Sequence, residues 1–371
     1  MKIGILTLPL HTNYGGILQA YALQTVLERM GHNVVVFDTD KRLDIPKSPL
    51  TYVKRIVAKL LKKNSIPVFY EKKRNESYPI ISKHTQYFID NYINRYVVEH
   101  LNSLNKNDFD AIVVGSDQVW RPIYFCTPFK AKAEDAFLDF TKGWNIKRLS
   151  YAASFGVEHW EYSEDETAVC REAISKFDAV SVREDIAVKQ CQDFLGVKAL
   201  HVLDPTMLLD KEDYISLILK EKEPKSQGSL FEYILDLSPE KKNIIDAVAK
   251  KTNLLPFAVK PAEKGKLEER IYPPVTAWLR AFMDAEFVVC DSFHGVVFSI
   301  IFNKPFIVIG NEKRGMARFS SLLKMYSLEA RMISSISQID ICTKLIDWED
   351  VNNIRKRLQI ESLGFLCSNL S

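Results

Sequence analysis

Short apolar, β-rich runs recur through this chain, each ending in small or charged residues, with helical patterns between several of them. The first, Ile3 to Leu8, is bounded by Pro9 and a polar loop. It leads through Gly15 and Gly16 into Ile17, Leu18, Ala20, Leu23 and Leu27, which recur at helical spacing. "HNVVVFDTD" (32–40) then completes a β-α-β unit whose length suits a parallel pair with a right-handed crossover. "DAIVVGSDQVW" (110–120), "RLSYAASFG" (148–156), "FDAVSVRE" (177–184) and "ALHVLDP" (199–205) continue the series. A strand covered by helices on both faces must be apolar throughout, so the alternation predicts an α/β fold on a doubly wound parallel sheet. Polar residues then collect at the strand C-termini, where open sheets of this kind hold their ligands.

The pattern breaks at "KEKEPKSQGS" (220–229), where charges, Pro224 and Gly228 mark a connection. It restarts with "LFEYILDL" (230–237), a helix from about Pro239 to Lys251, "LLPFAVK" (254–260) and a helix around Trp278 to Met283. "EFVVCDS" (286–292), an apolar helix after His294 and "PFIVIG" (305–310) complete it. With 371 residues, 47% of them hydrophobic, the chain can bury a core in each of two domains. The expected division is an N-terminal Rossmann-like domain over 1–206, a linker region at 207–229 and a C-terminal Rossmann-like domain with terminal helices over 230–371. Two such domains face each other across a cleft lined by strand ends.

Fifty Lys and Arg stand against 47 Asp and Glu, so the chain lacks the basic footprint of a nucleic-acid binder. Six scattered cysteines, with no C-x-x-C pair and no histidine at metal-ligand spacing, point away from both a disulfide framework and a metal site. They read as thiols of a reducing compartment. The N-terminus enters a strand without a signal-peptide pattern, and no apolar run approaches membrane-spanning length, so a cytoplasmic protein is expected. One segment departs from the alternation. In "TYVKRIVAKLLKK" (51–63), Val53, Ile56, Val57, Leu60 and Leu61 share one helical face, and Lys54, Arg55, Lys59, Lys62 and Lys63 the other. Lys72, Lys73 and Arg74 extend the basic run to 51–74. Such a helix either packs its apolar stripe on its own sheet or meets a membrane surface.

Four motifs carry the candidate chemistry. Asn13, Tyr14, Gly15 and Gly16 form a strand-to-helix turn that either brings backbone N–H groups to an anion or a sugar, or serves the turn alone. "VVGSDQVW" sets Gly115, Ser116 and Asp117 just beyond a strand. Asp117 either accepts a proton from a substrate hydroxyl or, with Ser116, caps the next helix. "SVRED" sets Arg183 at a strand end, where its guanidinium either binds a carboxylate or phosphate bidentately or pairs internally with Glu184 or Asp185. "VVCDSFHGVVFSIIFNKPFIVIG" inserts Asp291, Ser292 and His294 between a buried strand and an apolar helix, with Gly295 allowing close approach. Imidazole exchanges protons near neutral pH, and the loop position favours a ligand-facing His294 over a core histidine. Downstream, Lys304, Lys313, Arg314 and Arg318 are candidates for an anion pocket, although Arg318, just before Leu322 and Leu323, also suits an ordinary surface position.

Taken in order, "NYGGILQAYALQ", "VVGSDQVW", "SYAASFG", "SVRED", "LDPTMLL" and "DSFHGVVFSIIFNKPFI" span residues 13–307 and resemble the polysaccharide pyruvyl transferase family, in its bacterial "DSFHG" form. The resemblance implies a GT-B-like fold, two Rossmann-like domains around a cleft. It implies transfer of the pyruvyl group of phosphoenolpyruvate onto two hydroxyls of a sugar as a cyclic ketal, in surface polysaccharide synthesis. Phosphoenolpyruvate is then the donor substrate, with no metal, nucleotide or redox cofactor. The acceptor would be a lipid-linked oligosaccharide on the N-terminal side, giving the basic helix a purpose at the inner face of the plasma membrane. The family handles phosphoenolpyruvate with a histidine of the second domain and an arginine near the end of the first; His294 and Arg183 match. In that scheme His294 handles the proton, Asp117 acts as hydroxyl base, and Arg183 with helix N-terminal amides holds the anion. Ser292 departs from the pattern, because better-known members carry an arginine two residues before that histidine. Phosphate recognition then falls to Lys304, Arg314 or Arg318. The same fold also accommodates a glycosyltransferase using a nucleotide sugar, or a non-catalytic sugar-binding protein, the latter suggested by Ser292.

Overall fold

The structure, a computed structural model, describes residues 1–61, 66–310 and 316–371; Lys62, Lys63, Lys313 and Arg314 lie outside the described residues. The first half runs β1 (Lys2–Leu6), α1 (Tyr14–Arg29), β2 (Asn33–Asp38), α2 (Pro49–Leu60), α3 (Tyr70–Ile81), α4 (Lys83–Tyr92) and β3 (Arg95–Val97). It continues through β4 (Ala111–Val114), α5 (Pro122–Phe129), β5 (Lys147–Ala153), α6 (Glu164–Ile174), β6 (Ala179–Val182), α7 (Asp185–Gln190) and β7 (Leu200–His201). The second half holds α8 (Lys211–Lys220), β8 (Leu230–Tyr233), α9 (Pro239–Thr252), β9 (Pro256–Phe257), α10 (Val275–Asp284) and β10 (Phe287–Cys290). It ends with α11 (Phe293–Ile301), β11 (Phe306–Ile309), α12 (Ala317–Met325), β12 (Met332–Ile333) and α13 (Trp348–Leu370).

Two wholly parallel sheets result. The first has the order β3-β2-β1-β4-β5-β6-β7 and the second β12-β11-β10-β8-β9. Chain order reverses between β1 and β4 in one and between β8 and β10 in the other, and these reversals open crevices at the strand C-termini. Continuous apolar runs form the central strands because helices cover both faces: Ile3, Ile5, Ile112, Val113, Val288 and Val289 are all buried. One core extends without a break from the first sheet through α1 to Trp278 of α10 and Phe298 of α11. Tyr14 pins this join, stacking on Trp278 with ring centroids 5.5 Å apart and donating its hydroxyl to the Pro273 carbonyl at 2.9 Å.

Some segments pack in ways their sequence does not announce. Within 207–229, α8 buries Tyr214, Leu217 and Ile218, and only the residues after it form an exposed connection. The last helix, α13, returns to the first sheet, where the Leu203 N–H donates to Ser362 Oγ at 3.1 Å and Lys147 Nζ to the Asn369 carbonyl at 3.1 Å. Helix α2 has no buried residue, so its apolar stripe does not pack on the sheet. No helix among the described residues is long and apolar enough to cross a membrane, and all six cysteines are unbridged.

Candidate active site

Residues following β1, β4 and β10, the C-terminal end of β8 and the start of α12 converge on one cleft of about 390 Å3 between the sheets. Its walls include Asn13, Tyr14, Asp117, Glu232, Lys260, Tyr272, Asp291, Ser292, His294 and Arg318. Helices α1 and α11 both begin here, so two sets of unpaired N-terminal N–H groups lie at the cleft.

His294 sits in the first turn of α11, and its ring lies directly against Gly15 in the first turn of α1. A Cβ placed on Gly15 would stand 2.1 Å from His294 Nδ1, so only glycine lets the helix of one domain pass under the imidazole of the other. On the opposite side of the ring, Nε2 is 3.7 Å from Asp204 Oδ2, an ion-pair contact longer than a hydrogen bond. The Asp204 carboxylate is fully buried. It accepts from Arg183 at 2.8 Å, Ser116 Oγ at 3.0 Å, and the Thr206 N–H and hydroxyl at 3.0 and 2.6 Å. Burial opposes its ionisation, yet His294, Arg183 and Thr206 hold it far below the ordinary carboxylate range.

Arg183 is therefore not an open anion-binding group, contrary to the motif-based expectation. Its side chain is 1% exposed and meets three carboxylates: Asp204, Asp117 at 3.5 Å and Glu184 at 3.7 Å. The Phe293 ring lies over the guanidinium with its centroid at 4.3 Å. Burial opposes this charge, and the three carboxylates outweigh burial, raising the guanidinium pKa. Arg183 is a buried keystone that fixes Asp204 and Asp117.

Asp117 lines the cleft as expected but does not cap α5, which starts at Pro122. It adopts φ 66°, a left-handed conformation uncommon for non-glycine residues, and bridges to Ala153. Burial pushes its carboxyl up, while Arg183, His294 and Arg318 together pull it below its usual value. Arg318 is buried at the cleft, 5.9 Å from the Phe293 centroid, and is not an ordinary surface residue. Burial first and Arg183 second lower its pKa to about 10, so it remains a cation at neutral pH.

The remaining candidates divide. Asn13 precedes α1, makes no side-chain cap and faces the cleft; Gly16 packs between Asn13 and Asp117. Ser292 precedes α11 and faces the cleft. Asp291 lies in the wall, but its carboxylate accepts from the Leu235 and Asp236 N–H groups at 2.7 and 3.2 Å and from Lys241 at 2.5 Å, fixing the loop after β8. Gly115 packs on Ile5, Thr7 and Leu23, and Gly295 on Cys290; neither lines the cleft, and Ser116 lies behind it, holding Asp204. Lys304 precedes β11, at the N-terminal end of the parallel strands whose C-terminal end carries His294, and donates to the Met283 carbonyl at 2.9 Å, so it is excluded from the anion site. Sequence reasoning missed Asp204 and Phe293. Asp204 stands in "LDPT" at a strand end, and an Asp followed two residues later by Thr is a capping signal, met here by the Thr206 N–H.

Fold and site together define a GT-B-like α/β protein, with two doubly wound domains and a cleft carrying a His–Asp contact, a second carboxylate and an arginine. Over comparable length the chain is similar to UDP-GlcNAc 2-epimerase from Neisseria meningitidis bound to UDP-GlcNAc, with 10% identity, a TM-score of 0.50, and 98% of this chain and 99% of that one covered. The UDP-N-acetylglucosamine 2-epimerase of Rickettsia bellii (11% identity, TM-score 0.44, 99% and 98% covered) and a glycosyltransferase of Rickettsia africae (11%, 0.44, 100% and 94%) are also similar. Comparison with curated protein sequences finds no match. A profile of the polysaccharide pyruvyl transferase family matches residues 13–313. The chain belongs to that family.

Proposed function

We propose that the chain transfers the pyruvyl group of phosphoenolpyruvate onto two hydroxyls of a sugar, forming a cyclic ketal on a lipid-linked saccharide at the cytoplasmic side of a membrane. The observation that carries this reading is His294, held in the cleft between Gly15 of α1 and the Asp204 carboxylate. An imidazole held at the cleft wall is placed to pass a proton to and from a bound molecule. His294 protonates the methylene carbon of phosphoenolpyruvate, making the adjacent carbon electrophilic. One sugar hydroxyl attacks that carbon and gives up its proton to Asp117. Phosphate then departs with the bridging C–O electrons and takes up the proton held by Asp117, and the second hydroxyl closes the ketal as its proton returns to His294. Arg318 and the N-termini of α1 and α11 are the anion-holding groups, with Arg318 serving where the family arginine is replaced by Ser292. Phosphate release from phosphoenolpyruvate with an acceptor saccharide, followed by mass analysis of the saccharide, tests the reading. His294→Ala should reduce the rate by about a hundred- to ten-thousand-fold. An unchanged rate in the folded variant would remove His294 from the chemistry.

A further inference from the structure

We infer that α2 and α3 form a docking surface for an anionic lipid bilayer. In α2, Leu50, Val53, Val57 and Leu60 recur at intervals of three and four residues on one face, yet no residue of this helix is buried. Leu50 is 67% and Leu60 77% exposed, and Phe69, just before α3, is 65% exposed. A soluble domain ordinarily buries such a stripe, and a contiguous exposed apolar patch marks a surface with an occupant.

The patch is held in place without its apolar side chains being consumed. Arg55 makes a bidentate pair with Glu71 at 2.7 and 2.8 Å and donates to the Val68 carbonyl at 3.1 Å. The Asn75 side chain clasps Leu43 through both its N–H and its carbonyl, and Arg74 donates to the Lys41 carbonyl at 2.6 Å. Polar contacts thus tie the two helices to each other and to the loop after β2.

Charge selects the occupant. Helices α2 and α3 carry six Lys or Arg against Glu76 and Glu71, the latter already engaged by Arg55, and Lys54, Lys59, Lys72 and Lys73 are exposed. A second copy of this chain would set like charge against like charge. An anionic leaflet offers headgroup phosphates to the lysines and an acyl boundary to the stripe. Because the first sheet is parallel, α2 departs from the same C-terminal edge that carries the cleft, so docking would hold the cleft beside the bilayer. The inference adds the membrane surface itself to the proposed function and is testable without any substrate.

The experiment is co-sedimentation of the full chain with phosphatidylglycerol-rich vesicles and with pure phosphatidylcholine vesicles, at low and high salt. Two variants accompany it, with folding checked by thermal melting. One replaces Leu50, Val53, Val57 and Leu60 with Ser, and the other changes Lys54 and Lys59 to Gln. Wild type should pellet with the anionic vesicles and weakly or not at all with the zwitterionic ones. The Ser variant should bind at least about tenfold more weakly, and the Gln variant less well at low salt, where charges are least screened. Wild type failing to bind, or all three proteins binding alike, would overturn the inference. So would sedimentation velocity showing a wild-type dimer that the Ser variant abolishes, since the stripe would then be an interface between copies. Phosphoenolpyruvate turnover in solution should be the same in all three, which separates failure of the membrane surface from failure of the proposed chemistry.

Discussion

Replacing Gly15 by Ala should leave the fold standing and take away most of the activity. The added Cβ would lie 2.1 Å from His294 Nδ1, 2.4 Å from Cγ and 2.7 Å from Cε1, so it meets the body of the ring and not a mobile tip. Ordinary contact requires roughly 3.5 Å, so imidazole and helix must separate by about 1 Å or more. The ring has little room to yield, since Asp204 faces Nε2 and the Phe293 ring stands edge-on to it with centroids 5.3 Å apart. Alanine itself suits α1, gaining about 0.5–1 kcal/mol over glycine inside a helix, which offsets part of the steric cost. The expected result is a Tm within a few degrees of wild type and a kcat lowered on the order of 100-fold, the penalty for a reacting group misplaced by about 1 Å. Phosphate release from phosphoenolpyruvate at saturating acceptor, with circular-dichroism melting alongside, provides both numbers. A kcat within about twofold of wild type would show that the position of His294 does not matter, and the mechanism would fall with it.

Arg183→Ala should lower stability by about 3–5 kcal/mol in denaturant unfolding, because it leaves Asp204 buried without its 2.8 Å partner. Weaker phosphoenolpyruvate binding at unchanged stability would instead make it an open ligand-binding group. The folded pKa of Asp204 is depressed, so its contribution is complete above the unfolded value of about 3.9 and is lost as pH falls below it. Asp204→Asn should therefore lower Tm at pH 7 and flatten its decline between about pH 5 and pH 2, whereas parallel wild-type and variant curves would contradict the assignment. Arg318→Gln should weaken phosphoenolpyruvate binding by about 1.5–3 kcal/mol, the range for hydrogen bonds to charged groups. An unaltered dissociation constant by calorimetry would move the anion site elsewhere.

The sheets were legible because doubly covered strands must be apolar along their whole length, and the cleft followed from polar residues at their ends. The position of His294 in the cleft was legible for a related reason: a polar insert between a buried strand and an apolar helix falls at a strand C-terminus, where the crevice opens. Arg183 was half-legible. A strand-end arginine reads the same whether it opens to a cleft or turns inward, and its main partner, Asp204, is 21 residues away, while the local window offers only Glu184 and Asp185. Lys304 misled because proximity in sequence to His294 hides the length of α11, which carries the chain from the C-terminal end of β10 back to the N-terminal end of β11. The left-handed turn at Asp117 leaves no mark in composition, since Gly115, two residues earlier, does not adopt it. The amphipathic pattern of α2 revealed a stripe but not whether anything covers it, which depends on tertiary placement alone.

Isothermal titration of the wild-type chain with phosphoenolpyruvate, and separately with UDP-sugars, addresses the central claim most directly. The account predicts saturable binding of phosphoenolpyruvate, weakened in Arg318→Gln, and no saturable heat from the nucleotide sugars. Saturable binding of a nucleotide sugar with none of phosphoenolpyruvate would contradict it.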